Sequence, residues 1–525
     1  MLHTGIEGII GFVAHPARAG EIHGSLRFRE TMMFESAELE HKIAKAEYDR
    51  VVPRLRADLL DTQFDIGQLG KFAVLILING VEGSGRGQVV NQLNAWMDPR
   101  HILTYAFGEA SDDEIERPYM WRFWRALPPK GKIGILFGNW YSEPIQGRAL
   151  KQIKRADLDR QLRDINRFEM MLASGGDLIL KFWFHLAKDQ QKSRLDALSK
   201  SAKTRWRVSE ADWRYLKRYD RYRDVSDHVL RTTSTGHSPW IVVAGADERY
   251  RTLKVGRTVL ESMRKRLDLE AKGWTPPVTA APLPPVTDAV DLISSLKLHQ
   301  PMAKAQYDAE LERLQGRLAL LMRSAAAKKR ALIVVFEGQD AAGKGGAIRR
   351  ITGALDSRQY RVVPIGAPTE EEAAQPYLWR FWRHVPRNGW ITVFDRSWYG
   401  RVLVERVEGF CQEGDWMRAY HEINDFEEQL TTAGAIVAKF WMAVTPEEQL
   451  RRFKEREKTP HKRFKITPED WRNRKKWPAY ERAICDMIDR TSSDAAPWHL
   501  VAANDKLSAR VQVIETLCGQ LEARL

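Results

Sequence analysis

The heptapeptide YMWRFWR at Tyr119–Arg125 returns as YLWRFWR at Tyr377–Arg383, 258 residues later (377 less 119). The same offset joins Gly80 to Gly338, Trp140 to Trp398, LKFW (Leu180–Trp183) to AKFW (Ala438–Trp441), Trp213 to Trp471, and Pro239–Trp240 to Pro497–Trp498. KAEYD at Lys45–Asp49 answers KAQYD at Lys304–Asp308 at an offset of 259. A fixed period over so many anchors constrains the fold more than composition does. Whatever the architecture is, the chain builds it twice, in units of roughly 220 residues. The expected units are 32–271 and 301–525. A Pro-rich linker over 272–300 joins them; its segment WTPPVTAAPLPPVTD (Trp274–Asp288) carries five prolines and is expected to be extended. Residues 1–31 lack periodicity and are expected to be a disordered extension.

The second copy reads most clearly. A helix is expected near Met302–Leu321. ALIVVFEG (Ala331–Gly338) is a continuous apolar run ending in glycine, the pattern of a parallel strand buried on both faces. YRVVPIG, WITVFDRSWYG, AIVAKFWMAV and WHLVAAND supply four more strand candidates, separated by helical stretches. One of these, PTEEEAAQPYLWRFWRHV, reads as a helix with a capping box from Thr369 to Glu372. Its aromatics read as core. Strands alternating with helices predict an α/β fold, a mainly parallel sheet flanked by helices, duplicated in tandem. Ligands on such sheets bind at the carboxyl ends of the strands.

GQDAAGKGG (Gly338–Gly346) follows a strand and opens a helix, and it satisfies the Gly-x-x-x-x-Gly-Lys spacing of a phosphate-binding loop. Its backbone amides and the helix N-terminus would cradle phosphate oxygens, and Lys344 would neutralise charge developing in transfer. Gly345 stands where a hydroxyl residue usually helps to hold Mg²⁺, so carboxylates must do that work. Asp340 inside the loop and Asp395 at the next strand end are the candidates. Arg396 and Arg401 follow as phosphate contacts. RRFKEREKTPHKRFKITPEDWRNRKK (Arg451–Lys476) is dense in positive charge and is expected to be a basic helical lid that closes over phosphates. No histidine sits in a nucleophile-like setting, and no Cys/His metal spacing appears. The formal net charge of +14 favours a polyanionic partner. Three scattered cysteines point to a reducing, cytoplasmic setting, and no apolar run approaches the ~20 residues of a membrane span.

GxDAAGKGG, DRSWYGR followed by VER, the AKFW strand, the basic lid and the terminal APW strand together resemble the family-2 polyphosphate kinases. A fused pair with one altered copy is similar to the two-domain class II subgroup. The resemblance implies a P-loop kinase-like domain in each copy. It implies direct Mg²⁺-dependent transfer of a phosphoryl group from inorganic polyphosphate to a nucleotide, AMP giving ADP, without nucleic acid or membrane as partner. A homo-oligomer stays open. Carried onto this sequence, it implies that Asp340, Lys344, Asp395 and Arg396 are catalytic. Gly338, Ala342, Gly343, Gly345, Gly346 and Arg401 would bind phosphate, and Asp340 and Asp395 would hold the metal. Glu405 and Arg401 would lie beside the nucleotide. Arg452, Arg456, Lys462, Arg463 and Lys465 would meet the polymer from the lid. Two other readings fit parts of the pattern: an ATP-dependent nucleotide kinase of the thymidylate kinase type, and a non-catalytic protein that binds polyphosphate or nucleic acid.

The offset of 258 also permits a position-by-position audit of the first copy. Lys344 becomes Arg86, Asp340 becomes Glu82, Asp395 becomes Phe137, Arg396 becomes Gly138 and Arg401 becomes Glu143. Phenylalanine cannot hold a cation through a carboxylate. The first copy is therefore expected to be structural or a docking surface for polyphosphate, and the second catalytic.

Overall fold

The computed structural model describes residues 33–275 and 296–525. The expected N-terminal extension and most of the Pro-rich linker lie outside the described residues. Two five-stranded sheets are present. The first contains β1 (Val74–Gly80), β2 (Ile102–Ala106), β3 (Ile133–Phe137), β4 (Leu178–His185) and β5 (Trp240–Ala244) in the order β2-β3-β1-β4-β5. The second contains β6 (Leu332–Gly338), β7 (Tyr360–Pro364), β8 (Ile391–Asp395), β9 (Ile436–Ala443) and β10 (Trp498–Ala502) in the order β10-β9-β6-β8-β7. Every pairing is parallel. Each strand of the second sheet begins 258 residues after its counterpart (332 less 74 for the central pair), so the duplication is kept strand by strand without a gap.

The strands form because their side chains are apolar on both faces. In β6 every residue but the terminal glycine is buried, and β1 repeats the pattern. Helices before and after each sheet cover the two faces. In the second copy Lys304–Ala327 packs against Lys506–Arg524 on one side, and Glu413–Thr432 covers the other.

The sequence expected one helix through YLWRFWR; the structure has two short ones, Glu370–Ala373 and Trp379–Trp382. Pro376 between them has no amide hydrogen to donate and pushes Gln375 out of helical geometry. The capping box from Thr369 to Glu372 is formed as expected.

These short helices are where the two copies meet. Trp124 and Trp382, equivalent residues, stack with ring centroids 5.6 Å apart. Arg117 Nε donates to Val385 O at 3.0 Å, and the equivalent Gln375 Nε2 donates to Leu127 O at 3.2 Å. Arg167 pairs with its own equivalent position, Asp425, at 2.8 Å. Each contact is matched by its exchange partner, so the copies face one another about a pseudo-two-fold axis. The core is continuous across it. The aromatics of YLWRFWR are thus core, as expected, and part of that core lies between the copies.

Candidate active site

Because β6 and β8 are adjacent and parallel, with Phe336 paired to Asp395, their loops open on the same carboxyl edge of the sheet. The loop after β6 turns at Gly338, where the backbone takes φ 144° and a β-carbon would collide with Met442. The helix Lys344–Thr352 then begins. Lys344 Nζ folds back to donate to Gly338 O at 2.7 Å and Gln339 O at 3.3 Å. Burial, and then repulsion from Arg396, pulls its ammonium below the ordinary lysine range, while Asp340 and Asp395 hold it up.

Asp340 is held from two sides. Arg396 Nη2 donates to one carboxylate oxygen at 3.1 Å, and Asn473 Nδ2 donates to the other at 2.9 Å. Asp395 ends β8. One position before the loop, Glu337 is buried and accepts from Ser397 Oγ at 2.8 Å. Burial pushes its carboxyl up, against the pull of Lys344 and of the Ser397 hydroxyl. Glu337, Asp340, Arg396 and Asn473 wall a cleft together with Arg472, Arg474, Trp477 and Tyr480; Lys344 and Asp395 are not part of its lining.

The structure therefore brings Asp340, Lys344, Asp395 and Arg396 together around one loop. Arg401 and Glu405 sit apart from the cleft lining. They pair with each other at 2.8 Å across the break at Leu403 between two short helices, and Arg401 lies over the Tyr377 ring at 4.3 Å. The lid comprises the helix Pro446–Lys458, a turn at Arg463–Lys465 and the helix Pro468–Lys475. Arg463, Phe464 and Lys465 are exposed at its tip; Lys462 leans toward Glu455 at 3.6 Å, and Arg456 reaches Lys465 O at 3.5 Å.

Arg452 corrects the sequence reading. It was expected to meet the polymer, but its side chain is buried and its guanidinium is spent on carbonyls. Nη1 donates to Ala341 O and Ala342 O, both at 2.9 Å. Nη2 donates to Ala503 O at 2.6 Å and Asn504 O at 2.9 Å, and Nε pairs with Glu448. It supports the phosphate loop from behind.

Glu337, Ser397 and Asn473 escaped the sequence reading. The copy-to-copy audit carried a signal for all three, since their counterparts are Asn79, Asn139 and Tyr215.

The first copy keeps the shape and cancels the charge. Arg86 pairs with Glu82 at 2.5 Å and lies over the Phe137 ring at 5.4 Å. Asn79 Nδ2 bonded to Asn139 Oδ1 at 3.0 Å replaces the Glu337–Ser397 pair. Its cleft is lined by Trp183, Tyr215, Tyr219 and Tyr222. A buried network recurs in both copies. Lys439, Tyr399 and Trp398 converge on Glu427 at 2.7, 2.6 and 3.0 Å, as Lys181, Tyr141 and Trp140 do on Glu169. Its survival in the altered copy marks it as a structural group.

The family model for polyphosphate kinase 2 matches the chain twice, over residues 42–270 and 301–525. The chain belongs to the polyphosphate kinase 2 family. It is 55% identical to the polyphosphate:AMP phosphotransferase of Pseudomonas aeruginosa over 94% of this chain and 99% of that one. It is 38% identical to the protein of the same description from Acinetobacter johnsonii, over 90% of this chain and 96% of that one. A crystal structure of a polyphosphate kinase 2 from Pseudomonas aeruginosa PA01 matches with a TM-score of 0.84 at 53% identity, covering 94% of this chain and 99% of that one. Both copies are thus polyphosphate kinase 2 domains, and the P-loop kinase-like fold expected from the sequence is the one observed.

Proposed function

We propose that the protein transfers the terminal phosphoryl group of inorganic polyphosphate to AMP, forming ADP, and that the second copy does the chemistry. The observation that carries this is the Asp340–Arg396–Asn473 arrangement beside Lys344, present in the second copy and dismantled in the first. The two relatives named for this reaction span nearly the whole chain.

The chemistry fits the groups present. The acceptor oxygen on AMP is already anionic, so no base need remove a proton. The barrier lies in bringing two anions together. Arg396, Arg472 and Arg474 line the cleft and Lys344 stands in the phosphate loop, and together they would offset that repulsion. One P–O bond to the penultimate phosphate breaks as one P–O bond to the AMP phosphate forms, in line, with no phosphoenzyme. Lys344 exchanges the carbonyls of Gly338 and Gln339 for phosphate oxygens.

Among the described residues no group of three or more His, Cys, Asp or Glu could hold a metal on its own. Asp340 and Asp395 are two carboxylates at the mouth of a phosphate loop. That donor set suits Mg²⁺, which takes one or two carboxylates and completes its shell with substrate phosphates and water. When bound, Mg²⁺ would add positive charge against the transferring group. The exposed cations of the lid tip are read as a polyphosphate contact rather than a nucleic-acid one. Among the described residues no helix is long and apolar enough to cross a membrane.

The test is a panel of AMP, ADP, GMP and GDP with polyphosphate and Mg²⁺ and no ATP. ADP formation from AMP is expected. Phosphorylation only when ATP is supplied would overturn the reading.

A further inference from the structure

Both copies place a buried guanidinium behind the phosphate loop, but they take it from different helices. In the second copy it is Arg452, on the first lid helix. Its counterpart in the first copy, Arg194, instead packs its methylenes beside Gly83. The spot is filled there by Arg251, which is 1% exposed and lies on the helix Glu248–Ala271, outside the lid. Two markers register the sites. Arg251 Nη1 donates to Gly245 O at 3.0 Å, and Gly245 is the counterpart of Ala503, which accepts from Arg452. The Arg251 guanidinium also lies against Gly85, the counterpart of Gly343, beside which a β-carbon would stand 4.0 Å from Arg452 Nη1. The position matching Arg251 in the second copy is Ala509, buried in the helix Lys506–Arg524.

We propose that Arg452 is a positioning residue that ties the lid to the phosphate loop, and that the first copy cut this tie by supplying the same guanidinium from Arg251. In the second copy Ala341 O, Ala342 O and Ala503 O would be buried without donors if Arg452 were absent; in the first, Arg251 serves Gly245 O and Gln88 Oε1. Only delivery from the lid helix makes lid position and loop geometry one unit. This rests on the second copy being the catalytic one.

The test transplants the first copy's solution into the second. R452A should lower Tm and depress kcat in ADP formation from AMP and polyphosphate. Adding A509R should bring Tm back toward the parent while kcat stays low, by on the order of tenfold to a hundredfold. If R452A is too unstable to purify, R452K with and without A509R carries the same comparison. Recovery of parental kcat in the double variant would reduce Arg452 to a structural support and overturn the coupling. Failure of A509R to raise Tm would overturn the equivalence of the two sites. The parent's own turnover, and its loss in a Lys344 variant, separate failure of this proposal from failure of the catalytic reading beneath it.

Discussion

Arg396 has φ 64°, a left-handed backbone that residues with a β-carbon pay to adopt, and Ala341 in the phosphate loop has φ 62°. Their counterparts in the first copy are Gly138 at φ 72° and Gly83 at φ 76°. The backbone has kept its shape in both copies, and glycine stands at these points only in the copy that lacks the cluster around Lys344. Strain held beside the Lys344 cluster and absent from the copy that lacks it is the pattern of strain kept for function. Arg396→Gly should therefore gain about 1 kcal/mol in backbone conformational energy, partly offset by the lost pair with Asp340. It should abolish most turnover, on the order of 10²-fold or more. Chemical denaturation and an ADP-formation assay on the same preparation check both signs. A variant both less stable and fully active would contradict the strain argument.

At the scale of elements, the helix Glu413–Thr432 brings Glu422 to the cavity between the copies, beside Trp124 and Trp382. Burial pushes its carboxyl up to about 7, against the pull of Arg418 and Arg401. A carboxyl raised in the folded state binds its proton more tightly there than in the unfolded chain. Its contribution to stability is thus complete below the ordinary glutamate range and is lost as pH rises through about 7. Glu422→Gln should leave Tm little changed at acid pH, raise it at pH values well above neutral by the equivalent of roughly 1–3 kcal/mol, and flatten the slope between. A parallel pH profile for parent and variant would contradict this. The elements themselves were legible where physics gives a local signal. Parallel strands buried on both faces read as nearly continuous apolar runs, so β6 and β9 could be read directly even with Glu337 near the end of one and Lys439 inside the other. The short helices around Pro376 were not, because helix-like spacing of Tyr377, Phe381, Leu378 and Trp382 hid the break. In the lid, charge density made every cation look solvent-facing. The inward face of Pro446–Lys458 is Gln449, Arg452 and Phe453, a helical spacing that was present in the sequence but outweighed by the run of charge. Glu337 and Asn473 lacked a motif; only comparison with Asn79 and Tyr215 exposes them.

At the scale of the molecule, the duplication supplies an internal control. The sheet, the Lys439–Glu427 network and the guanidinium behind the loop occur in both copies, whereas the cluster around Lys344 occurs in one. The pseudo-two-fold contact gives the first copy a structural role: Trp124, Leu127 and Arg167 complete the core and the hydrogen bonds of the second. Trp382→Ala should cost about 3–5 kcal/mol, split the thermal transition of the two copies in scanning calorimetry, and lower turnover without touching the cleft. An unchanged transition would mean that the copies are stable independently. The central claim, that polyphosphate-driven phosphorylation of AMP occurs in the second copy alone, is tested most directly by initial rates of ADP formation without ATP for Lys344→Ala, Asp395→Asn and Arg86→Ala. Lys344→Ala and Asp395→Asn are expected to lose on the order of 10³-fold or more and Arg86→Ala to stay near the parent. Equal losses in all three would contradict the division of labour.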